Sequence, residues 1–261
     1  MKLLVKLGGT LLDEEATRER VAREIAAVSR TVPMVVVHGG GRQMTRYLAE
    51  RGTASEFRNG LRVTTPAVLD AVVKVVAGSV NREFVAALNK AGARAAGISG
   101  IDGGLVEAEQ MDAALGSVGR IKKADAALLE ALLAGGFLPV VACVAGDREG
   151  RLYNVNADQM AAACAAAFGA DPLIFLTDVA GVLDRDKRVV ARLTMTQSDL
   201  LIAEGIATGG MLAKLRAAQS ALGGGVRRVW ICGGAAEGVL ERILGGEEMG
   251  TRLEMEEVCA Q

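Results

Sequence analysis

Val36-Val37-His38-Gly39-Gly40-Gly41 is an apolar run that stops in three consecutive glycines. Met34 and Val35 extend the run backwards, and residues 43–51 follow it with a helical pattern. Glycine inside an ordered helix or strand costs about 1 kcal/mol relative to alanine. Three in a row between a strand and a helix therefore mark a turn whose backbone must approach something closely or adopt φ > 0. Backbone N–H groups at such a turn, and at the helix start beyond it, form an anion site. Two further apolar runs end in the same manner, Val5-Lys6-Leu7-Gly8-Gly9-Thr10 and Leu176-Thr177-Asp178-Val179-Ala180-Gly181. Neither a G-x-x-x-x-G-K-[ST] loop nor a G-x-G-x-x-G after a strand is present, which excludes a P-loop enzyme and removes the dinucleotide fingerprint.

Outward from this turn, short apolar runs alternate with longer amphipathic stretches. Strands are expected at 2–7, 34–37, 137–143, 173–177 and 228–232. Helices are expected at 14–30, 43–51, 67–90, 157–168, 211–222 and 236–244, with a polar loop to Val155 after Cys143. The strand runs are almost continuously apolar, as strands covered on both faces must be. Such a succession predicts an α/β fold, with a mainly parallel sheet and helices on both sides. Ligands then bind at the carboxyl ends of the strands. Residues 55–64 break the rhythm, and Asn59-Gly60 marks a turn; the segment reads as a hairpin or loop over the site. No Pro- or Ser-rich linker divides the chain, which predicts a single domain over 1–261.

The composition excludes several function classes. The 261 residues suffice for a large core, and 51% are hydrophobic with a net charge of −1. Near-neutrality gives no electrostatic reason to expect nucleic acid or a membrane surface as partner. The longest apolar stretch, 126–146, contains Glu130, Gly135, Gly136 and Pro139; it reads as helix, turn and buried strand rather than a membrane span. The first strand begins at Lys2-Leu3-Leu4-Val5, which leaves no signal-peptide pattern. Cys143, Cys164, Cys232 and Cys259 lie far apart without a C-x-x-C pair, so free thiols of a cytoplasmic protein are expected. The single histidine, His38, rules out H-E-x-x-H zinc chemistry. No G-x-S-x-G elbow accompanies it.

K-L-G-G at Lys6 to Gly9 and V-H-G-G-G at Val37 to Gly41 resemble the amino acid kinase family. F-x-N-G-L-R-V-T at Phe57 to Thr64 and N-V-N-A-D-Q at Asn154 to Gln159 narrow the resemblance to its N-acetylglutamate kinases, and M-G-T-R at Met249 to Arg252 carries it towards the end. The resemblance implies an open αβα sandwich on a mainly parallel sheet of about eight strands. A first lobe, about 1–170, would bind the acceptor and dimerise, and a second, about 171–261, would bind the nucleotide. The implied reaction is ATP-dependent phosphorylation of the γ-carboxylate of N-acetyl-L-glutamate, a step of arginine biosynthesis, with Mg²⁺ carried by ATP rather than held by protein ligands.

That chemistry suits these residues. A carboxylate of pKa about 4 is already ionised at neutral pH, so no general base is needed. The difficulty is an anion approaching an anionic phosphoryl group, and cations with correct positioning resolve it. By resemblance Lys6 and Lys214 supply the cations and Asp158 holds both. Arg62, with Asn154 beside it, would clamp the acceptor bidentately, and Gly40 and Gly41 would give it backbone N–H groups. Gly8, Gly9, Thr177, Asp178, Gly181, Val182, Leu183, Ile206, Ala207 and Thr208 would line the nucleotide pocket, although Asp178 fits a helix cap or turn equally well.

The sequence departs from the family pattern at two places. Ile101 stands where many relatives carry lysine in S-G-K-D-G, and Cys232-Gly233-Gly234-Ala235 stands where many carry Asp-Gly-Arg. Relatives inhibited by arginine carry an extra helix before the first strand. A strand that starts at residue 2 leads us to expect no arginine feedback, and a homodimer through helix 67–90. Docking of a PII-type regulator is left open. Two other functions compete: a sister kinase acting on carrier-bound aminoadipate or glutamate, and a catalytically silent nucleotide-binding member of the fold.

Overall fold

The computed structural model describes residues 1–58 and 60–256. Eight strands form the central sheet, in the order Arg192–Thr194, Thr251–Glu254, Arg228–Gly233, Leu173–Thr177, Leu3–Leu7, Met34–His38, Leu138–Ala142, Ala95–Ser99. All six strands from Arg228–Gly233 to Ala95–Ser99 run parallel, and the other two run antiparallel to them. Leu3–Leu7 sits at the reversal point. Its chain continues to Met34–His38 on one side, whereas Leu173–Thr177 lies on the other. That crevice, outside the carboxyl ends, is where such a sheet binds ligands.

Helices cover both faces. Glu15–Ser29 packs with Asn81–Lys90 and Val239–Leu244, and Ala157–Phe168 packs with Gly209–Gly223. The latter pair approaches closely because its facing residues are small: Ala161, Ala162, Ala165, Ala217, Ala218 and Ala221 are all buried. The α/β sandwich agrees with the sequence expectation, and the expected strands and helices lie within a few residues of their predicted bounds.

Three differences have local causes. The helix after the triple glycine starts at Gly41, not 43, since the first helical residue needs no intrahelical N–H partner. Residues 66–90 form one continuous helix, but Val73–Val80 is π-helical. The expected polar loop after Cys143 contains Val144–Gly146 and Leu152–Asn154, an antiparallel pair in a second sheet with Val106–Gln110 and Gly119–Ala124. Strands of three residues give no periodic signal to read. Residues 57–62 do form a hairpin, Phe57–Arg58 with Leu61–Arg62. Its turn residue Asn59, like Cys259, lies outside the described residues.

Candidate active site

The first strand places a lysine where its flanking residues require apolar ones. Leu3, Leu4, Val5 and Leu7 are fully buried, and Lys6 among them is only 6% exposed. Its ammonium meets Asp158, itself 5% exposed, with Nζ 2.6 Å from Oδ1. Asp158 lies in the first turn of helix Ala157–Phe168. Asn156 caps that helix, its Oδ1 accepting from the N–H groups of Asp158 (2.9 Å) and Gln159 (3.2 Å), which sets the start of the helix and hence the carboxylate. Lys214, in the second turn of helix Gly209–Gly223, reaches the other oxygen at 3.4 Å. One carboxylate thus separates two cations drawn from opposite ends of the chain.

Burial pushes the Asp158 carboxyl up, but Lys6 and Lys214 outweigh it and hold it below the ordinary aspartate value. The Lys6 contact is a charge pair rather than an aligned hydrogen bond, and it leaves Oδ1 without a directional donor. The carboxylate therefore stays ionised and fixes where two positive charges sit.

A cavity of about 220 Å³ lies on one side of Lys6, bounded by Gly40, Gly41, Arg62, Asn154 and Asp158, with Val72, Val76 and Val118 as its apolar wall. A more open cleft of about 640 Å³ lies on the other side, lined by Gly8, Gly9, Thr10, Arg42, Arg46, Thr177, Asp178 and Lys214. Lys6, Gly9, Gly41, Phe57 and Arg62 border both. The two spaces meet at the lysine.

The hairpin brings Arg62 into the site from above. Its guanidinium donates to Ser55 Oγ, to Gly41 O (3.1 Å) and to Thr45 Oγ1 (2.8 Å), and it stacks 4.6 Å from the Phe57 ring centroid. Asn154 donates to Thr64 Oγ1 (3.0 Å), whose hydroxyl donates to Arg62 O (2.8 Å). The two residues are thereby tied into one polar assembly at the cavity rim.

The glycine turns work differently from one expectation. None of Gly8, Gly9, Gly39, Gly40 or Gly41 has a positive φ. Gly40 is small because its surroundings are close: a Cβ there would lie 3.2 Å from Val76 Cγ2. The π-helical turn carries that valine. Close approach, not left-handed backbone, is the reason for glycine here.

Among the remaining candidates, Gly181, Val182, Leu183, Ile206, Ala207 and Thr208 line neither space. Gly181 and Val182 are buried, and the Val182 N–H donates to Thr251 Oγ1 (2.8 Å). Ile206 and Ala207 turn their N–H groups to Leu201 O, and Thr208 precedes helix Gly209–Gly223. Ile101 borders a separate hollow with Lys123, Asp125 and Arg148, so this departure from the family pattern lies outside the acceptor cavity. Gly234 takes the place of a side chain that would collide with Leu11, and its N–H donates to Thr177 O (2.8 Å). Cys143, Cys164 and Cys232 are buried free thiols. Burial pushes the Cys143 thiol, on the acceptor cavity, up to about 11.

Sequence reasoning missed Arg42, Arg46, Thr10, Ser55 and Thr45. Arg42 and Arg46 follow the triple glycine at positions one and five, and that nearness to an anion-binding turn was the available signal. Thr45 and Ser55 carried none, since they act on Arg62 only through the folded hairpin.

The model of the Amino acid kinase family matches residues 1–233, and the chain belongs to that family. Within it, the acetylglutamate kinase of Solibacter usitatus is 63% identical over 254 residues, which cover 97% of this chain and 99% of that one. The acetylglutamate kinase of Deinococcus radiodurans is 43% identical, covering 96% and 99%. Among solved structures, N-acetylglutamate synthase from Neisseria gonorrhoeae, complexed with coenzyme A and N-acetyl-glutamate, superposes with a TM-score of 0.86 at 28% identity. The match takes in 98% of this chain but only 59% of the synthase. An isopentenyl phosphate kinase shares the fold, with a TM-score of 0.65 at 23% identity.

Proposed function

We propose that this chain transfers the γ-phosphoryl group of ATP to the γ-carboxylate of N-acetyl-L-glutamate, giving N-acetyl-L-glutamyl 5-phosphate and ADP in arginine biosynthesis. The observation that carries the proposal is Asp158 paired with both Lys6 and Lys214 where a small cavity meets a larger, more open cleft. The acceptor lies in the cavity, its carboxylate towards Lys6, with Arg62, Asn154 and the N–H groups of Gly40 and Gly41 holding its other polar groups. ATP occupies the cleft with its phosphates along Gly8, Gly9 and Lys214. Its base extends towards Gly181–Leu183 and Ile206–Thr208; the exposed apolar side chain of Leu183 supports this. Mg²⁺ enters on the phosphates, since Asp158 already serves two lysines.

A carboxylate oxygen attacks the γ-phosphorus, the bond to the β-phosphate oxygen breaks, and the electron pair leaves on ADP. No proton moves. The residues between 6 and 158 that bound the cavity fit a first lobe for the acceptor, with the later residues completing the nucleotide side. The protein works in the cytoplasm, where its nucleotide is made. It pairs as a homodimer beside helix 66–90, next to which the edge strand Ala95–Ser99 is only partly covered and has one unpaired side.

Trapping the product with hydroxylamine tests the acceptor. An acyl hydroxamate should form with N-acetyl-glutamate and not with free glutamate, and ADP release with UMP should stay at background. No hydroxamate from any acid would favour the silent nucleotide-binding alternative.

A further inference from the structure

The phosphoryl transfer makes no use of the chain's single histidine, yet His38 is fully buried one residue before the glycine turn. Its Nδ1 lies 2.9 Å from Gly39 O and its Nε2 lies 2.9 Å from Asn81 Nδ2. A carbonyl can only accept and an amide NH₂ can only donate, so the ring is neutral and its proton sits on Nδ1. Asn81 cannot turn over. Its Nδ2 also donates to Val140 O (3.0 Å), and its Oδ1 accepts from Arg82 Nη2 (2.8 Å), which donates to Gly97 O (2.8 Å) as well. Gly97 leaves the room for this, since a Cβ there would fall on Asn81 Oδ1 and Arg82 Nη2. Burial, helped by the nearby charges of Lys6 and Arg82 and opposed by the Gly39 bond, lowers the imidazole pKa to about 4.

In a trans peptide the carbonyl and the N–H point in opposite directions. Drawing the Gly39 carbonyl to the imidazole therefore turns the Gly40 N–H to the other side. That N–H donates to no described group, and Gly40 lines the acceptor cavity. We infer that His38, held by Asn81, is a positioning residue that sets the Gly39–Gly40 peptide so that the Gly40 N–H is presented to the acceptor carboxylate. The inference rests on the acceptor site proposed above. Asn81 opens the α-helical segment that directly follows the π-helical turn, so that turn determines which residue reaches the imidazole.

Two amide substitutions divide the histidine's contacts. His38→Asn keeps a donor where Nδ1 stood and loses the Asn81 partner. His38→Gln keeps an acceptor for Asn81 and loses the donor to Gly39. In untagged protein, His38→Gln should raise KM for N-acetyl-glutamate at least tenfold, with KM for ATP within twofold of wild type. His38→Asn should stay within threefold for both substrates. An unchanged acceptor KM in His38→Gln, or equal movement of both KM values as in a general loosening of the fold, overturns the inference. If His38→Gln does not fold, the wild type decides, because one histidine gives one imidazole signal. Long-range ¹H–¹⁵N spectra should show Nδ1 protonated and Nε2 bare from pH 6 to 8; the opposite tautomer rules the positioning role out. The tautomer is read without turnover. Wild-type protein that forms no hydroxamate therefore counts against the acceptor and not against the His38 geometry.

Discussion

Asp158→Asn removes one negative charge from between two cations and changes almost nothing in shape. Lys6 has only 8% of its side chain exposed and Lys214 only 15%, so both ammoniums are largely withdrawn from water and reach it only along the cleft. Deleting one partner of a buried ion pair costs about 3–5 kcal/mol, because the remaining charge is left unpaired. Here two charges lose the same partner, which places the loss at the upper end. The amide can still accept from one lysine, which places it lower again; a loss of about 4 kcal/mol in urea unfolding at pH 7.5 is expected. Turnover should fall at least about 100-fold, equivalent to about 2.7 kcal/mol in the barrier, when assayed at a temperature where the variant is folded. Without the carboxylate the lysines repel one another, and they no longer converge on the junction of the two spaces. A stability loss under about 1 kcal/mol, a typical value for an exposed pair, would refute the buried triad. A turnover within threefold of wild type would refute its part in transfer.

Three other outcomes follow from the same geometry. Lys6→Ala and Lys214→Ala should each lower kcat much more than they raise KM; a Lys6→Ala turnover within about threefold of wild type, roughly 0.65 kcal/mol, defeats the electrostatic role. Arg62→Ala should raise KM for the acceptor about 10- to 100-fold, the worth of one hydrogen bond to a charged group, with KM for ATP little changed, as initial-rate kinetics with each substrate varied would show. The lowered pKa of His38 favours the neutral ring in the folded state, so its stabilisation is complete above the unfolded pKa of 6.5 and is lost as pH falls from there to about 4. Wild type should lose about 3 kcal/mol more than His38→Gln over that interval in urea titrations, and parallel curves for the two proteins would contradict it.

The architecture was legible because burial on both faces leaves unbroken apolar runs, and five of the eight central strands announce themselves in that way. Ala95–Ser99 did not, being an edge strand of small residues, and neither did Arg192–Thr194 or Thr251–Glu254, which are short. The site was legible in a different sense. Lys6 stood out as a charge inside an apolar strand, an expense a core does not carry without a partner. Nothing local identified that partner: Asp158 lies 152 positions away, and its part in the site follows from a helix start that only the packed fold brings over the first strand. Lys214 is more opaque still, one lysine on an ordinary amphipathic helix until Asp158 is placed opposite it. His38 shows the limit from the other side. Its solitude in the composition excluded chemistry that needs two histidines, but its two ring contacts are made by the next residue in the chain and by a helix 43 positions on. The glycines were taken as the centre of the candidate site for a reason the geometry supports only in part. Gly39 and Gly40 are small because Ala157 and Val76 crowd against them, and Gly9 because the Gly40–Gly41 backbone lies against it, whereas Gly41 has open space beside it; the Gly40 N–H is left with no described partner.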